Sequence, residues 1–372
     1  MIGLLGIVAI GCNQQTGQDT TKDASAQAEP PQMLLKNWKP KSIFKIPVTN
    51  IRKAKYPVID MHAHDYMKNA EDVTTRVRVM DSVGLEKSVV FTNATGPKFD
   101  SIYALYSKYP DRFDVYCGFD LTNYQESGWQ ERAVNELRRC VKEGAAGVGE
   151  LHDKGAGLVD GLHPDDPRMD ALFDACAELR IPVNMHVSDP MWMYEPMDST
   201  NDGLIRSWTW RIKGKDTATD HAGLMVILAN TIKRHPKTTF VASHLANCVY
   251  DFSILAKMLD QLPNMSADIS ARFAEFSTIP RTTAAFFEKY QDRLVYGTDY
   301  GWEIWSKSTD YGHNTTLDSM FRTTFRVLET NDEHFYLTDL VGYKWPMYGL
   351  GLSDATLRKI YHDNAARIRK PS

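Results

Sequence analysis

Eight short apolar runs of strand character, at 58–62, 88–92, 114–119, 146–151, 182–186, 239–244, 265–269 and 294–297, punctuate the chain. Between and after them lie amphipathic stretches of helical period, at 70–83, 100–108, 131–142, 167–179, 223–234, 251–261, 280–290 and 314–329. Eightfold alternation of strand and helix predicts an α/β fold, the (β/α)8 TIM barrel, which takes about 250 residues. A doubly wound sheet shares the alternation, but no Gly-x-Gly-x-x-Gly opens a helix after an early strand. The runs are mostly continuous and apolar, as strands are when helices cover them from outside.

The first run ends in His62-Ala63-His64. Side chains at i and i+2 of an extended segment point the same way, so the two imidazoles can converge on one point. The pair is either a metal site or an accident of surface histidines, and the later strand ends decide. Strand five ends in His186, strand six in His244, strand eight in Asp299, and strand four in Glu150-Leu151-His152. A lone histidine at a strand end is usually a hydrogen-bonded core residue. Several at the same end of barrel strands, with an aspartate, predict a metal centre at the mouth.

His62-Ala63-His64, His186, His244 and Asp299, in that order on strands one, five, six and eight, resemble the amidohydrolase superfamily. Within it the chain is similar to the "amidohydrolase 2" family of metal-dependent barrels like aminocarboxymuconate-semialdehyde decarboxylase. Gly297-Thr298-Asp299-Tyr300 and the closing segment 357–367, with its Asn364-Ala365 pair, strengthen the likeness, which runs over about 56–369. The resemblance implies a metal held by His62, His64 and His186, with Asp299 as a further ligand or as a base. It implies His244 as the catalytic histidine that polarises a carbonyl or orients water. Zinc is the expected ion, one per chain, with Mn2+ or a binuclear centre as alternatives. Glu150 stands where binuclear relatives place a bridging carboxylate, so it is a ligand to a second metal, an ion-pair partner or a substrate contact. Asp60, two residues before His62, is the candidate partner for a ligand's second ring nitrogen. His152 and Lys154 are loop residues or substrate contacts.

Two stretches exceed ordinary loop length, 188–222 with Trp192, Trp208 and Trp210, and 300–313 with Trp302 and Trp305. Both leave the carboxyl ends of strands, where barrels keep their active sites. Trp192 and Trp302 are candidate substrate contacts; the tryptophans either form a lid or pack the loops. Arg272, just past strand seven, is a candidate to bind a substrate carboxylate by a bidentate pair, with Arg211 as a second and surface arginines as the alternative.

The expected activity is metal-dependent hydrolysis of an ester, lactone or amide of a small organic substrate. Non-oxidative decarboxylation of a small aromatic or unsaturated carboxylic acid uses the same residues and is the alternative. An inactive binding barrel should lack a ligand, and none of the five is missing. The formal net charge of −4 over 372 residues offers no overall basic face for nucleic acid and no polybasic membrane patch. A homodimer is compatible with the sequence, which does not specify one. Cys117, Cys140, Cys176 and Cys248 show no metal-finger spacing and are expected as buried thiols.

Residues 1–12 are an apolar run ending at Cys12, too short to span a bilayer, and resemble a lipoprotein signal whose cysteine is lipidated. A merely hydrophobic start is the alternative. Residues 13–42, rich in Gln, Thr, Asp, Ala and Ser, read as a flexible tether, leaving 43–372 for the barrel. The expected location is the bacterial cell envelope, with the membrane reached only through this anchor. Cys12→Ser should abolish uptake of a labelled fatty acid; a wild-type chain that takes up none contradicts the reading.

Overall fold

The computed structural model describes residues 32–34, 37–203, 218–299, 317–336 and 345–369. Cys12, Trp208, Trp210, Arg211, Trp302 and Trp305 lie outside the described residues. The chain divides into two compact units, Met1–Lys39 and Pro40–Ser372. In the first, Leu34 and Trp38 are exposed.

The second unit is the predicted barrel. Its strands are β1 (Val58–His64), β2 (Leu85–Phe91), β3 (Phe113–Cys117), β4 (Gly147–Asp153), β5 (Val183–Val187), β6 (Phe240–Ala242), β7 (Met265–Asp268) and β8 (Leu294–Val295). They pair in parallel, in sequence order. The ring closes where Met61 N–H donates to Tyr296 O (2.9 Å) and Asp299 N–H to His62 O (2.8 Å). Gly297 makes that seam close, since a Cβ there would stand 2.8 Å from His62 Cβ.

Around the strands run α1 (Ala70–Val83), α2 (Gly96–Tyr106), α3 (Trp129–Glu143), α4 (Asp170–Leu179), α5 (His221–Arg234), α6 (Phe252–Gln261), α7 (Phe273–Phe276), α8 (Pro280–Lys289) and α9 (Leu317–Glu329). Local chemistry sets their ends. Asn69 caps α1 by accepting from Glu71 N and Asp72 N, and Gly84, at φ 84°, ends it in the left-handed conformation that favours glycine. α3 buries Trp129, Ala133, Leu137 and Cys140, the spacing of one helical face. α7 escaped the sequence pattern because four residues carry no period. The four cysteines of the barrel are buried free thiols, as expected.

Five strands stop one or two residues earlier than predicted, β2, β3, β6, β7 and β8, and two of these ends shape the site. β6 ends at Ala242 because His244, Leu245, Ala246 and Asn247 all take left-handed conformations, with φ of 59°, 55°, 50° and 55°. Non-glycine residues pay roughly 1–2 kcal/mol each for that geometry, so strong contacts must hold the turn. β8 ends at Val295, and Asp299 is itself left-handed at φ 61°.

The chain finishes in α10 (Asp354–Arg358), a π-helical turn (Lys359–Asp363) and α11 (Asn364–Arg369). Ala365 and Ile368 pack with Ile59, Met61, Val89, Phe91, Val241 and Val295. The Asn-Ala pair noted in the sequence thus has a packing role. Asn364 Nδ2 also donates to Leu294 O (2.8 Å) and Gln291 O (2.6 Å), fixing this helix to β8. Among the described residues no helix is long and apolar enough to cross a membrane. Asn364→Ala, which leaves a buried carbonyl without its partner, should cost about 1–3 kcal/mol in urea unfolding; an unchanged midpoint removes Asn364 from this role.

Candidate metal centre

The centre is built outward from Asp268, the fully buried last residue of β7. Its Oδ2 faces His62 Nδ1 (2.9 Å) and accepts from Asn184 Nδ2 (3.3 Å). Its Oδ1 accepts from His244 N (2.9 Å), Ser270 N (3.1 Å) and the Ser270 hydroxyl. Burial alone would raise the carboxyl's pKa, but His62 and these bonds outweigh it and bring it to about 2. An ionised carboxylate only accepts, so His62 Nδ1 must carry a proton, and Nε2 is the nitrogen left to face a metal ion.

His62 Nε2 meets the other donors. His62 Nε2 lies 3.4 Å from both Glu150 Oε1 and Asp299 Oδ1. His64 Nε2 lies 2.9 Å from Asp299 Oδ1 and 3.6 Å from Glu150 Oε2. His186 Nδ1 lies 3.0 Å from Glu150 Oε1. His62 Nε2, Glu150 Oε1 and His186 Nδ1 are all buried and none makes a hydrogen bond. Such atoms each cost about 1–3 kcal/mol when left unmatched, and a cation among them removes that cost for all three at once. Imidazole nitrogens with carboxylate oxygens suit zinc or manganese. Among the described residues, three groups of donors lie close enough to hold an ion: His62, His64 and Asp299; Glu150, His152 and His186; and His62, His244 and Asp268. The residues present fit a divalent ion.

Burial would lower the pKa of His62, yet Asp268 and Glu150 hold it well above the ordinary value, so without a cation Nε2 also carries a proton, which a bound cation would displace. Burial would raise Glu150 and Asp299, yet the histidines around them hold both carboxyls well below theirs. The two carboxylates therefore stay ionised, as metal-ligand oxygens must.

His244 differs from the rest. Its Nδ1 faces Ser270 O (3.1 Å) and Ser270 Oγ (2.8 Å), and its Nε2 lies 3.4 Å from Glu150 Oε1. The Ser270 hydroxyl already donates to Asp268, so His244 Nδ1–H is the donor and Nε2 is left basic toward the site. Burial, His186 and, more weakly, Arg272 push its pKa down to about 4, so it is neutral at pH 7.

Asp60 corrects one expectation. It does not hold the His62 ring; it accepts from His62 N (3.1 Å), Thr298 N (3.0 Å) and Thr298 Oγ1 (2.7 Å), tying β1 to the bend that carries Asp299. Asp268 has the role instead, and its place at a strand end was the available signal. Asp189 was likewise unforeseen: its Oδ1 lies 3.3 Å from His186 Nε2 and accepts from Lys154 Nζ (3.1 Å). His152 joins the site, with Nε2 2.7 Å from Glu150 Oε2.

Arg272 is no surface arginine. It is 1% exposed and donates from Nε to Asn247 Oδ1 (2.9 Å). It lines a cavity of about 810 Å³ together with Trp192, Asn247, Tyr250, Trp345 and Tyr348. Trp192 and Arg272 thus share one cavity wall, while Trp302 lies outside the described residues. If Asp268 sets the orientation of His62, Asp268→Ala should weaken metal binding by roughly 10–100-fold, read by competition with a chelating dye. Undiminished affinity would contradict that role.

Comparison with known proteins agrees with this geometry. The amidohydrolase family model matches residues 50–368. An uncharacterised TIM-barrel protein from Bordetella bronchiseptica superposes with a TM-score of 0.54 at 14% identity, over 84% of this chain and 98% of that one. A 5-carboxyvanillate decarboxylase from Novosphingobium aromaticivorans, complexed with manganese, gives 0.50 at 16% identity over 87% and 99%. A 2,6-dihydroxybenzoate decarboxylase gives 0.50 at 16% identity over 85% and 98%. These likenesses are of fold. With the family model spanning nearly the whole barrel, the chain belongs to the amidohydrolase family.

Proposed function

We propose that this amidohydrolase is a metal-dependent, non-oxidative decarboxylase of a small carboxylic acid. The observation that carries the reading is Arg272, a buried cation on the wall of the cavity, paired with Glu275 (3.5 Å) and close enough to His244 to lower its pKa. A guanidinium there suits a substrate carboxylate. The aromatic wall of Trp192, Tyr250, Trp345 and Tyr348 suits a flat organic body. Two barrels of the same fold, both named as decarboxylases of aromatic acids, agree with this choice over hydrolysis.

A divalent ion in the donor set supplies an electrophile for substrate oxygens. The chain's residues carry the rest. Asp299, ionised at rest, takes a proton from a substrate hydroxyl or from water and returns it to the carbon bearing the carboxylate. The bond from that carbon to the carboxylate then breaks, carbon dioxide leaves, and the bonding electrons stay with the product. His244, neutral and with Nε2 facing the site, accepts a hydrogen bond from the substrate and orients it. Arg272 positions the carboxylate.

Glu150 favours a second reading, the hydrolysis expected from the sequence. Its Oε1 stands within 3.4 Å of nitrogens of His62, His186 and His244, which would suit a second ion and an activated water. Metal-loaded protein should be supplied with hydroxybenzoates, unsaturated acids, lactones and esters while carbon dioxide and acid release are followed. Carbon dioxide release that falls roughly 100-fold or more in Asp299→Asn supports decarboxylation. Acid release without carbon dioxide replaces it with hydrolysis.

A further inference from the structure

The net charge of −4 conceals a strongly basic stretch. From Pro30 to Ile59 the chain has no aspartate or glutamate, while Lys36, Lys39, Lys41, Lys45, Arg52, Lys53 and Lys55 all fall within it. Interleaved with these cations, Ile43, Phe44 and Val48 are exposed at 85%, 55% and 72%. Most of the apolar surface of these side chains stays in water rather than against the barrel. Lys55 meets Asp354, but among the described residues none of Lys41, Lys45 and Arg52 is in an ion pair.

The segment is nonetheless held in place. Thr49 donates from N (2.8 Å) and Oγ1 (2.6 Å) to Asp332, and the Phe44 ring packs edge-on against His334, centroids 4.7 Å apart. Further along, Ala54 N donates to Val83 O at the end of α1, and Lys55 N to Glu329 at the end of α9. In a (β/α)8 barrel the helices end on the face where the strands begin, opposite the mouth. Residues 54–55 therefore sit on the face away from the metal centre.

We infer that residues 41–52 bind the surface of an anionic phospholipid bilayer. Clustered lysines and arginines attract acidic headgroups, and each adds about fivefold to partition; exposed Ile43, Phe44 and Val48 enter the headgroup boundary. Nucleic acid would satisfy the cations but gives the aliphatic side chains nothing. The inference is independent of which reaction the centre performs.

Sedimentation with phosphatidylcholine vesicles, with and without phosphatidylglycerol, tests it. The full chain carrying Cys12→Ser is used, so that no acyl chain contributes. Binding should require phosphatidylglycerol and weaken as salt rises. The triple variant Lys41→Glu, Lys45→Glu, Arg52→Glu should bind on the order of 100-fold more weakly. The apolar run 1–10 is common to both proteins, so their difference belongs to the segment. Ile43→Ser with Phe44→Ser should weaken binding while keeping its salt dependence. Equal binding by the parent and the triple variant, indifference to phosphatidylglycerol, or preference for a DNA duplex over the vesicles overturns the inference.

Discussion

One buried carboxylate organises the mouth of this barrel. Asp268 is out of water, and an ion there is tolerable only because five donors from β1, β5 and the turns after β6 and β7 surround it. Those same bonds do the structural work of the site. One fixes the proton on His62 Nδ1 and so frees Nε2 for a ligand. Another holds His244 N within a left-handed turn that its backbone would otherwise resist. The Ser270 hydroxyl, spent on Asp268, obliges His244 to donate from Nδ1 and keep its other nitrogen basic. The orientation of His62 and the protonation of His244 thus share one anchor.

The second constraint is charge. Glu150 and Asp299 converge with His62, His64 and His186 at distances of 2.9 to 3.6 Å, and three of the atoms involved are buried without hydrogen bonds. A protein does not gather such atoms for stability. The arrangement makes sense when a cation sits among them. Arg272, with the opposite charge, lies on the cavity wall beside Glu275.

Much of this was legible in the sequence. Strand and helix periods gave the barrel, and the polar residues that stop strands one, four, five, six and eight gave the centre, because in this fold the carboxyl ends of strands meet. What stayed hidden was pairing. Asp60 and Asp268 both sit on barrel strands at the site, and nothing in the sequence says that Asp60 braces Thr298 while Asp268 holds His62. Arg272 could be read as surface or site until its burial was seen. The early end of β6 was equally opaque, since Ser243-His244-Leu245-Ala246-Asn247 contains no glycine to announce four left-handed residues. The basic stretch before β1 was masked for a different reason: a whole-chain net charge averages it away.

The account stands or falls on the ion. Isothermal titration of the metal-stripped protein with Zn2+ or Mn2+ tests it most directly. The account predicts saturable uptake of one or two equivalents, abolished when His62 and His64 are both replaced by alanine in a protein that remains folded. No uptake by the wild-type chain, or equal uptake by that double variant, would contradict it.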